Sequence, residues 1–266
     1  MQLQDAFDLS IRLSGLKEVP ADSAVHVPGE SSRPLAVIDA DVPELILARE
    51  LGCDGVIAHH PLGSARVRFH EVMKRHNDFL SEAGVLDAGG VVKELMQKAM
   101  VKAHTGVYGQ VVGAARELKI PLMNVHLPCD EIGRRMMQLA IDSSGPAVSD
   151  AVASLASLPE FAASEVKPVV VHGDPASRRG RTVLAMAAGT NGGYAIAKKY
   201  FTGGVETLVY MHIDYDELKK VKEDVGLEGK NLVLLGHQPG DSVGINAYLK
   251  ELGGHGVRPV RVGITG

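Results

Sequence analysis

Residues 35–60, LAVIDADVPELILARELGCDGVIAHH, decide the fold class of this chain. The apolar runs at 35–39 and 55–58 have the length of buried strands, and residues 42–51 between them have helical spacing with Pro43 in the first turn. A strand, a helix and a second strand in this order predict two parallel strands joined by a crossover helix. The stretch therefore predicts an α/β fold.

The same alternation continues on both sides of this stretch. It predicts further strands at 121–125, 166–172, 182–187, 207–211 and 231–235. It predicts helices at 1–16, from 130 or 131 to 141, at 194–201, 215–225 and 242–252, and a mainly helical region at 66–118 that is broken near Gly84 and at Gly89-Gly90. We expect two similar α/β halves with mixed sheets flanked by helices, at residues 1–145 and 165–266. The serine- and alanine-rich segment 146–164 would connect them.

Composition restricts the class of protein. The 266 residues are 45% hydrophobic and carry a formal net charge of −4, which fits a soluble globular protein and gives no broad electrostatic reason to bind nucleic acid or an anionic membrane. No apolar stretch is long enough to span a bilayer, and the polar N-terminus does not resemble a secretory signal. Two cysteines are too few for a disulfide framework. We expect a cytoplasmic protein, and the absence of tryptophan argues against base-stacking platforms.

The dipeptide His59-His60, followed by Pro61, ends the second strand of the opening stretch. Two adjacent imidazoles pack poorly but bind metals well. Neighbouring side chains of a strand point to opposite faces, so the pair suits two separate ions, or one ion if the chain bends. The alternative is a histidine pair in a surface loop.

Two further clusters follow predicted strands, namely His126 with Asp130 and His237 with Asp241. Ligands bind beyond the carboxyl ends of strands in open α/β sheets. Imidazole nitrogen and carboxylate oxygen together suit zinc, manganese, iron or nickel. One aspartate shared between two ions would make a two-metal site, with the ions on the order of 3.5–4 Å apart.

Each of these clusters also has a plain structural interpretation. Asp130 and Asp241 both precede a helical pattern, so either could be an ordinary N-cap. His126 and His237 could be polar residues at strand ends. These alternatives stay open at the level of the sequence.

Three segments resemble the Ngg-interacting-factor-three-like family, whose members are also labelled GTP cyclohydrolase type 2 homologues. Residues 55–63, GVIAHHPLG, resemble the family's strand followed by HHPL, and residues 37–42 resemble the strand and turn that precede it. Residues 234–241, LLGHQPGD, are similar to the family's GH-x-x-x-E motif, with Asp241 in place of glutamate. The resemblance covers most of the chain in the order of its elements.

The family's middle motif, H-T-x-x-D, has two candidate positions. His104-Thr105 supplies the dipeptide, but Tyr108 stands where the carboxylate belongs. His126 and Asp130 keep the histidine, the spacing and the carboxylate, and they lie between a predicted strand and a predicted helix, so we choose Asp130. Matched residue by residue, the resemblance implies that the metal ligands are His59, His60, Asp130, His237 and Asp241. His126 would then lie near the site.

The resemblance implies a protein with two divalent metal ions (zinc, manganese or iron) in a cleft between the two halves. It implies a metal-dependent hydrolase acting on a nucleotide or another phosphate-bearing small molecule. The alternative is a non-catalytic metal-binding scaffold or regulator. The family also implies a ring-shaped homo-oligomer built from dimers, such as a hexameric ring.

Two further features have a functional and a plain interpretation. His212 stands where the family usually carries a T-G-E motif, and it either extends the metal site or is a polar residue at a strand end, which we favour. The stretch 189–193, GTNGG, follows a predicted strand and precedes a helix, with Arg178, Arg179 and Arg181 close by in sequence. It could bind a phosphate, but without a complete phosphate-binding motif we favour a glycine-rich turn.

Overall fold

A computed structural model describes residues 1–85, 89–186 and 192–266. The chain forms two compact units, each built from several segments. Unit 1 comprises Met1–Val72, Gln97–Ile132 and Gly244–Ile264, and unit 2 comprises Met73–Met96, Gly133–Val243 and Thr265–Gly266. Each unit contains a mixed sheet flanked by helices, which confirms the predicted α/β class.

The described strands and helices alternate for most of the chain. The strands are β1 (Ala24–Val27), β2 (Pro34–Val37), β3 (Gly55–Ala58), β4 (Leu122–Asn124), β5 (Val169–His172), β6 (Thr182–Leu184), β7 (Thr207–Tyr210), β8 (Asn231–Leu234) and β9 (Val260–Arg261). The helices are α1 (Leu3–Ser14), α2 (Val42–Glu50), α3 (Gly63–Val72), α4 (Arg75–Glu82), α5 (Gly89–Ala103), α6 (Gln110–Leu118), α7 (Leu127–Asp142), α8 (Val148–Ala156), α9 (Pro159–Ala162), α10 (Gly193–Thr202), α11 (Tyr215–Glu223) and α12 (His237–Gly254), with a short 3-10 turn at Val225–Leu227.

The sheet of unit 1 has the strand order β1-β4-β3-β2-β9. Strands β4, β3, β2 and β9 run parallel, and β1 is antiparallel to β4 at one edge. The parallel register pairs Val37 with Ala58 and Ala58 with Asn124. The three strands therefore end at one level, and residues placed two positions beyond these partners lie at the same edge of the sheet.

The sheet of unit 2 repeats this arrangement in the order β5-β8-β7-β6. Strands β8, β7 and β6 are parallel, and β5 is antiparallel to β8. Its register pairs Leu184 with Val209 and Tyr210 with Leu234, so that these strands also end together.

Alternate strand residues bury opposite faces of each sheet, as the two-residue period of a strand requires. In unit 1, Ile57 and Met123 pack with α1 and α12, whereas Val56 and Leu122 pack with α2 and α6. In unit 2, one face packs with α10 and α11 and the other with α7, α8 and α9. Burial of each leucine or phenylalanine side chain in these cores stabilises the folded protein by roughly 1.5–3 kcal/mol.

The structure departs from the predicted elements in five places. Strands β1 and β9 were not predicted, because β1 is a half-buried edge strand and β9 has only two residues. The segment 146–164, predicted as a connection, contains α8 and α9. Helices α7 and α12 begin before the predicted starts near residues 130 and 242, because Pro128 and Pro239 lie in their first turns, where the missing N–H has no intrahelical partner to lose.

Candidate metal centre

The His59-His60 turn is attached to the neighbouring strand by its backbone. The amide of His59 donates to the carbonyl of Val37 at 2.9 Å, and the amide of His60 donates to the carbonyl of Ile38 at 2.9 Å. The parallel register therefore continues past the end of β3 and fixes both imidazoles at the edge of the sheet in unit 1. The side chain of His59 is buried, and that of His60 is half-buried.

His126 joins this pair, because it lies two residues beyond Asn124 just as His60 lies two residues beyond Ala58. One ring nitrogen from each of His59, His60 and His126 lies within 4.8 Å of the others. The ring centroids of His59 and His126 are 4.9 Å apart, and those of His60 and His126 are 5.6 Å apart. The parallel register thus places the three imidazoles side by side at one edge of the sheet.

All three imidazoles are oriented in the same way, through Nδ1. The Nδ1 atoms of His59, His60 and His126 lie 3.1 Å from the carbonyl oxygen of Val125, 2.7 Å from Asp39 Oδ1 and 2.7 Å from Asp22 Oδ2, respectively. A carbonyl or carboxylate oxygen only accepts hydrogen bonds, so in each ring Nδ1 carries the proton. In the neutral form of each ring Nε2 is then the unprotonated nitrogen, which is the arrangement that outer-shell partners impose on metal-binding histidines.

Asp130 faces these nitrogen atoms. Its side chain is 1% exposed, and its Oδ1 lies 3.2 Å from His59 Nε2 while its Oδ2 lies 3.8 Å from His126 Nε2. Neither carboxylate oxygen accepts a hydrogen bond from any residue that the structure describes. A buried anion opposite these nitrogen atoms is stabilised by a positive species, either a proton on Nε2 or a metal cation. The residues present therefore fit a metal cation.

The same electrostatics act on His126. Burial lowers the pKa of its imidazole, but the carboxylates of Asp130 and Asp22 outweigh burial, and the net effect raises the pKa above its ordinary value. The nearby His59 opposes this rise. The cluster therefore attracts positive charge. A metal ion would compete with protons for the imidazole nitrogens and the carboxylate oxygens.

The N-cap interpretation of the two aspartates is wrong. Asp130 lies within the first turn of α7, after Leu127, and Asp241 is the fifth residue of α12. Both side chains are buried, at 1% and 2% exposure. An N-cap carboxylate lies outside the helix and accepts from the first free amides, which neither position allows.

In unit 2, His237 and Asp241 form a second pair on the first turns of α12. His237 Nε2 lies 3.3 Å from Asp241 Oδ2, and the imidazole is 49% exposed. Gly236 precedes the pair with a φ of 102°, in the left-handed region. Its amide donates to the carbonyl of Met211 at 2.9 Å, so the helix begins directly from the strand end.

The structure thus brings three of the five predicted ligands together in unit 1 and the other two together in unit 2. His104, the alternative for the middle motif, lies exposed in the turn after α5. Residues 189–191 of the glycine-rich stretch, a candidate phosphate site, lie outside the described residues. Among the described residues, no helix combines the length and the apolar character that crossing a membrane requires.

Sequence reasoning missed the aspartates that orient the imidazoles. Asp39 lies two residues beyond Val37, at the level of His60, so its position follows once the register is known. Asp22 precedes the unpredicted strand β1, whose antiparallel pairing with β4 brings it to His126. A single carboxylate before a short edge strand gives no signal in the sequence.

Comparison with solved structures shows a likeness over the full length. A NIF3 superfamily protein from Sphaerobacter thermophilus has a TM-score of 0.93 and 37% sequence identity, covering 99% of this chain and 98% of that one. Reduced HcgD from Methanocaldococcus jannaschii has a TM-score of 0.62 at 13% identity, covering 98% and 97%. A hypothetical protein from Staphylococcus aureus has a TM-score of 0.57 at 13% identity, covering 98% and 96%. The last two likenesses concern the fold alone. No protein-family model and no curated protein matches the sequence.

Proposed function

Since this chain belongs to the NIF3 superfamily, we propose that it binds two divalent metal ions through His59, His60, Asp130, His237 and Asp241. The buried Asp130 carboxylate, facing the Nε2 of His59 at 3.2 Å, is the observation that carries the proposal. The ligand set offers three imidazole nitrogens and two carboxylates. This mixture suits zinc, manganese or iron, and geometry and cellular supply decide among them.

The proposed activity is hydrolysis of a nucleotide or another phosphate-bearing small molecule. When bound, divalent ions of this kind would lower the pKa of water towards neutrality. The chain itself would supply His126, whose Nδ1–H is held by Asp22 at 2.7 Å so that Nε2 is free to hold or release a proton. A carboxylate that fixes the tautomer of a general base supports this role.

A metal-binding scaffold or regulator is the second candidate. The deep burial of His59 and Asp130 favours it, because a structural ion needs a closed shell whereas a catalytic ion needs a position open to water. The partial exposure of His60 and His237 favours catalysis for the same reason.

The two candidates are separated by metal content and turnover measured on one preparation. Elemental analysis of the purified protein would give its metals, and release of product from GTP and from simple phosphoesters would give its activity. Asp130→Ala should lose both metal and activity. Asp8→Ala, an exposed aspartate of α1, is the matched control. Metal without turnover supports the scaffold. Turnover that survives in Asp130→Ala removes the proposed site from the mechanism.

The resemblance also supports a ring-shaped homo-oligomer built from dimers, such as a hexamer, working in the cytoplasm. Sedimentation equilibrium of the purified protein would measure the mass of the assembly. A monomer at all concentrations would contradict this part of the proposal.

A further inference from the structure

Phe69 differs from the other phenylalanines of this chain in its surroundings. Phe7, Phe79, Phe161 and Phe201 are at most 5% exposed, as is usual for a large apolar side chain. Phe69, in the second half of α3, is half-buried and belongs to none of the four apolar clusters that form the cores. Part of its ring surface is therefore left for a ligand.

The ring of Phe69 lies beside the three-imidazole cluster. Its centroid is 5.7 Å from that of His126, with the two planes tilted by 52°, a separation typical of aromatic contacts. One nitrogen of His126 belongs in turn to the group of three imidazole nitrogens that lie within 4.8 Å of one another. An aromatic surface thus borders the candidate metal centre within unit 1.

The position of Phe69 is set by the segment that also carries the imidazole pair. Helix α3 begins at Gly63, three residues after His60. Gly63 has a φ of 49°, in the left-handed region, and an added Cβ would lie 2.9 Å from Val112 Cγ2 of α6. This close approach fixes the start of α3 against α6. Phe69 follows six residues later, roughly 9 Å further along the helix axis.

Helix α3 also carries positive charge. Arg66 and Arg68 are exposed, and Glu71 is the single acidic residue of the helix. Neither arginine forms an ion pair with a carboxylate of any residue that the structure describes. Both guanidinium groups are therefore available to an anion, in a chain whose formal net charge is −4.

Arg66 and Phe69 are three positions apart, so their side chains are neighbours on the helix surface. A guanidinium binds phosphate through several N–H groups held in one plane. An aromatic ring stacks on the flat face of any nucleobase. The absence of tryptophan argues against an extended stacking platform, but one ring is enough for one base. The two side chains thus suit the two parts of a nucleotide.

We propose that Phe69 and Arg66 form a substrate-recognition site beside the metal centre, where Phe69 stacks on the base of a nucleotide and Arg66 pairs with its phosphate. This inference rests on the proposed function and narrows its substrate class to nucleotides, because a simple phosphoester lacks the planar ring that Phe69 would contact. Neither residue belongs to the five-residue ligand set, so recognition and metal binding are measured separately.

Calorimetric titration of the purified full-length protein with three probes tests the proposal. GMP carries a base and a phosphate, guanosine lacks the phosphate, and ribose 5-phosphate lacks the base. Phe69→Leu keeps apolar bulk but loses the planar face, so its Kd for GMP should rise at least about fivefold while its Kd for ribose 5-phosphate stays unchanged. Arg66→Gln should weaken binding of GMP and leave that of guanosine unchanged. Arg258→Gln, which removes an exposed arginine elsewhere in unit 1, is the matched control.

A fold defect is separated from a recognition defect by a second variant and a second measurement. Phe69→Tyr keeps the aromatic face and should bind GMP as the wild type does. The proton on C8 of guanine should shift upfield in the nuclear magnetic resonance spectrum of GMP bound to either of these proteins, because a stacked ring shields it. Wild-type affinity for GMP in Phe69→Leu overturns the proposal. An equal loss of GMP and ribose 5-phosphate binding in that variant overturns it too.

Elemental analysis of the same preparations distinguishes this inference from the proposed metal site. If the protein contains metal and binds GMP independently of Phe69 and Arg66, the five-residue proposal stands and the inference fails. If GMP binding depends on Phe69 and Arg66 in a protein that holds no metal, recognition by these residues stands and the five-residue proposal fails. A wild-type protein that binds no GMP overturns the inference whatever its metal content.

Discussion

Asp130 Oδ1 lies 3.2 Å from His59 Nε2, and both side chains are 1% exposed. His59 Nδ1 donates to the carbonyl of Val125, so in the neutral ring Nε2 presents a lone pair to the carboxylate. In the neutral form of His59, a metal cation between the two atoms would relieve the repulsion between the lone pair and the carboxylate. We therefore expect the stability of unit 1 to depend on metal occupancy.

This relationship predicts opposite effects of Asp130→Asn with and without metal. An asparagine amide is neutral and donates a hydrogen bond to His59 Nε2, so the metal-free variant should be more stable than the metal-free wild type by about 1–3 kcal/mol. The metal-loaded wild type should melt above the variant, because the variant lacks an anionic ligand. Thermal melts with and without a chelator measure both effects, with Asp8→Asn as control. A lower melting temperature of the metal-free variant would contradict the prediction.

Removing both adjacent imidazoles should remove metal. His59→Ala/His60→Ala protein is expected to lose at least half of the bound metal measured by elemental analysis, because each ion of a two-metal site depends on these ligands. His104→Ala removes an exposed histidine from the turn after α5 and should keep the wild-type content. A double variant that binds as much metal as the wild type would contradict the assignment of His59 and His60 as ligands.

The orientation of His60 should depend on Asp39, whose Oδ1 accepts from Nδ1 at 2.7 Å. Asp39→Asn keeps the shape but weakens the charge-assisted hydrogen bond, so metal affinity should fall about 10–100-fold. Asp41→Asn, two residues away, is the control. Asp41 caps α2, and asparagine caps equally well. Calorimetric titration with zinc compares the two variants, and equal affinities would argue against a role for Asp39.

The acid stability of unit 1 should depend on Asp54. Burial alone would raise the pKa of its carboxyl, but hydrogen bonds from Ser31, Ser32 and Arg33 outweigh burial and lower the pKa from 3.8 to about 2. A carboxyl with a depressed folded pKa stabilises the protein above its unfolded value and loses this contribution as the pH falls through the folded value. The contribution is therefore present above about pH 4 and is lost towards pH 2.

Asp54→Asn tests this dependence by urea unfolding at several pH values. The variant should be less stable than the wild type by about 1–2 kcal/mol at neutral pH, because it loses charge-assisted hydrogen bonds at an exposed position. The difference should shrink as the pH falls below about 4. A difference that is independent of pH would show that the carboxylate charge has no part in it.

Gly236 should be needed to begin α12 at His237. Its φ of 102° is strained for any residue with a Cβ, and an added Cβ would lie 2.4 Å from Val166 Cγ1. Gly236→Ala should therefore lower the free energy of unfolding by roughly 1–3 kcal/mol. Gly253→Ala, within α12, has open space around its added Cβ and should be stabilising by about 0.5–1 kcal/mol. Two changes of the same sign would contradict this explanation.

The sequence predicts those parts of the unit 1 cluster that depend on local pattern. An apolar run closed by His59, His60 and Pro61 indicates a strand end at the edge of a sheet, and β3 ends there. The spacing of His126 and Asp130 after a strand likewise predicts their placement at a strand–helix junction. That all five predicted ligands bind the same pair of ions stays a prediction, which the metal experiments test.

Local sequence pattern does not predict the hydrogen bonds that orient the imidazoles, because these bonds join residues far apart in the sequence. Asp22 and His126 are 104 positions apart, and they meet only through the pairing of β1 with β4. Strand β1 is half-buried throughout, so its residues lack the alternation that marks a strand. The early starts of α7 and α12 were not predicted for a different reason, since proline is favoured both in turns and in the first turn of a helix.

The chain passes between the two units five times, after residues 72, 96, 132, 243 and 264. A single proteolytic cut therefore releases neither unit whole, and limited digestion should not yield an autonomous fragment. The passage at 243 has a further effect during translation. Unit 1 includes β9 and the greater part of α12, which leave the ribosome after nearly all of unit 2. Unit 1 is therefore completed only after nearly all of unit 2 has been synthesised, and β2 lacks its neighbour β9 at the sheet edge until then.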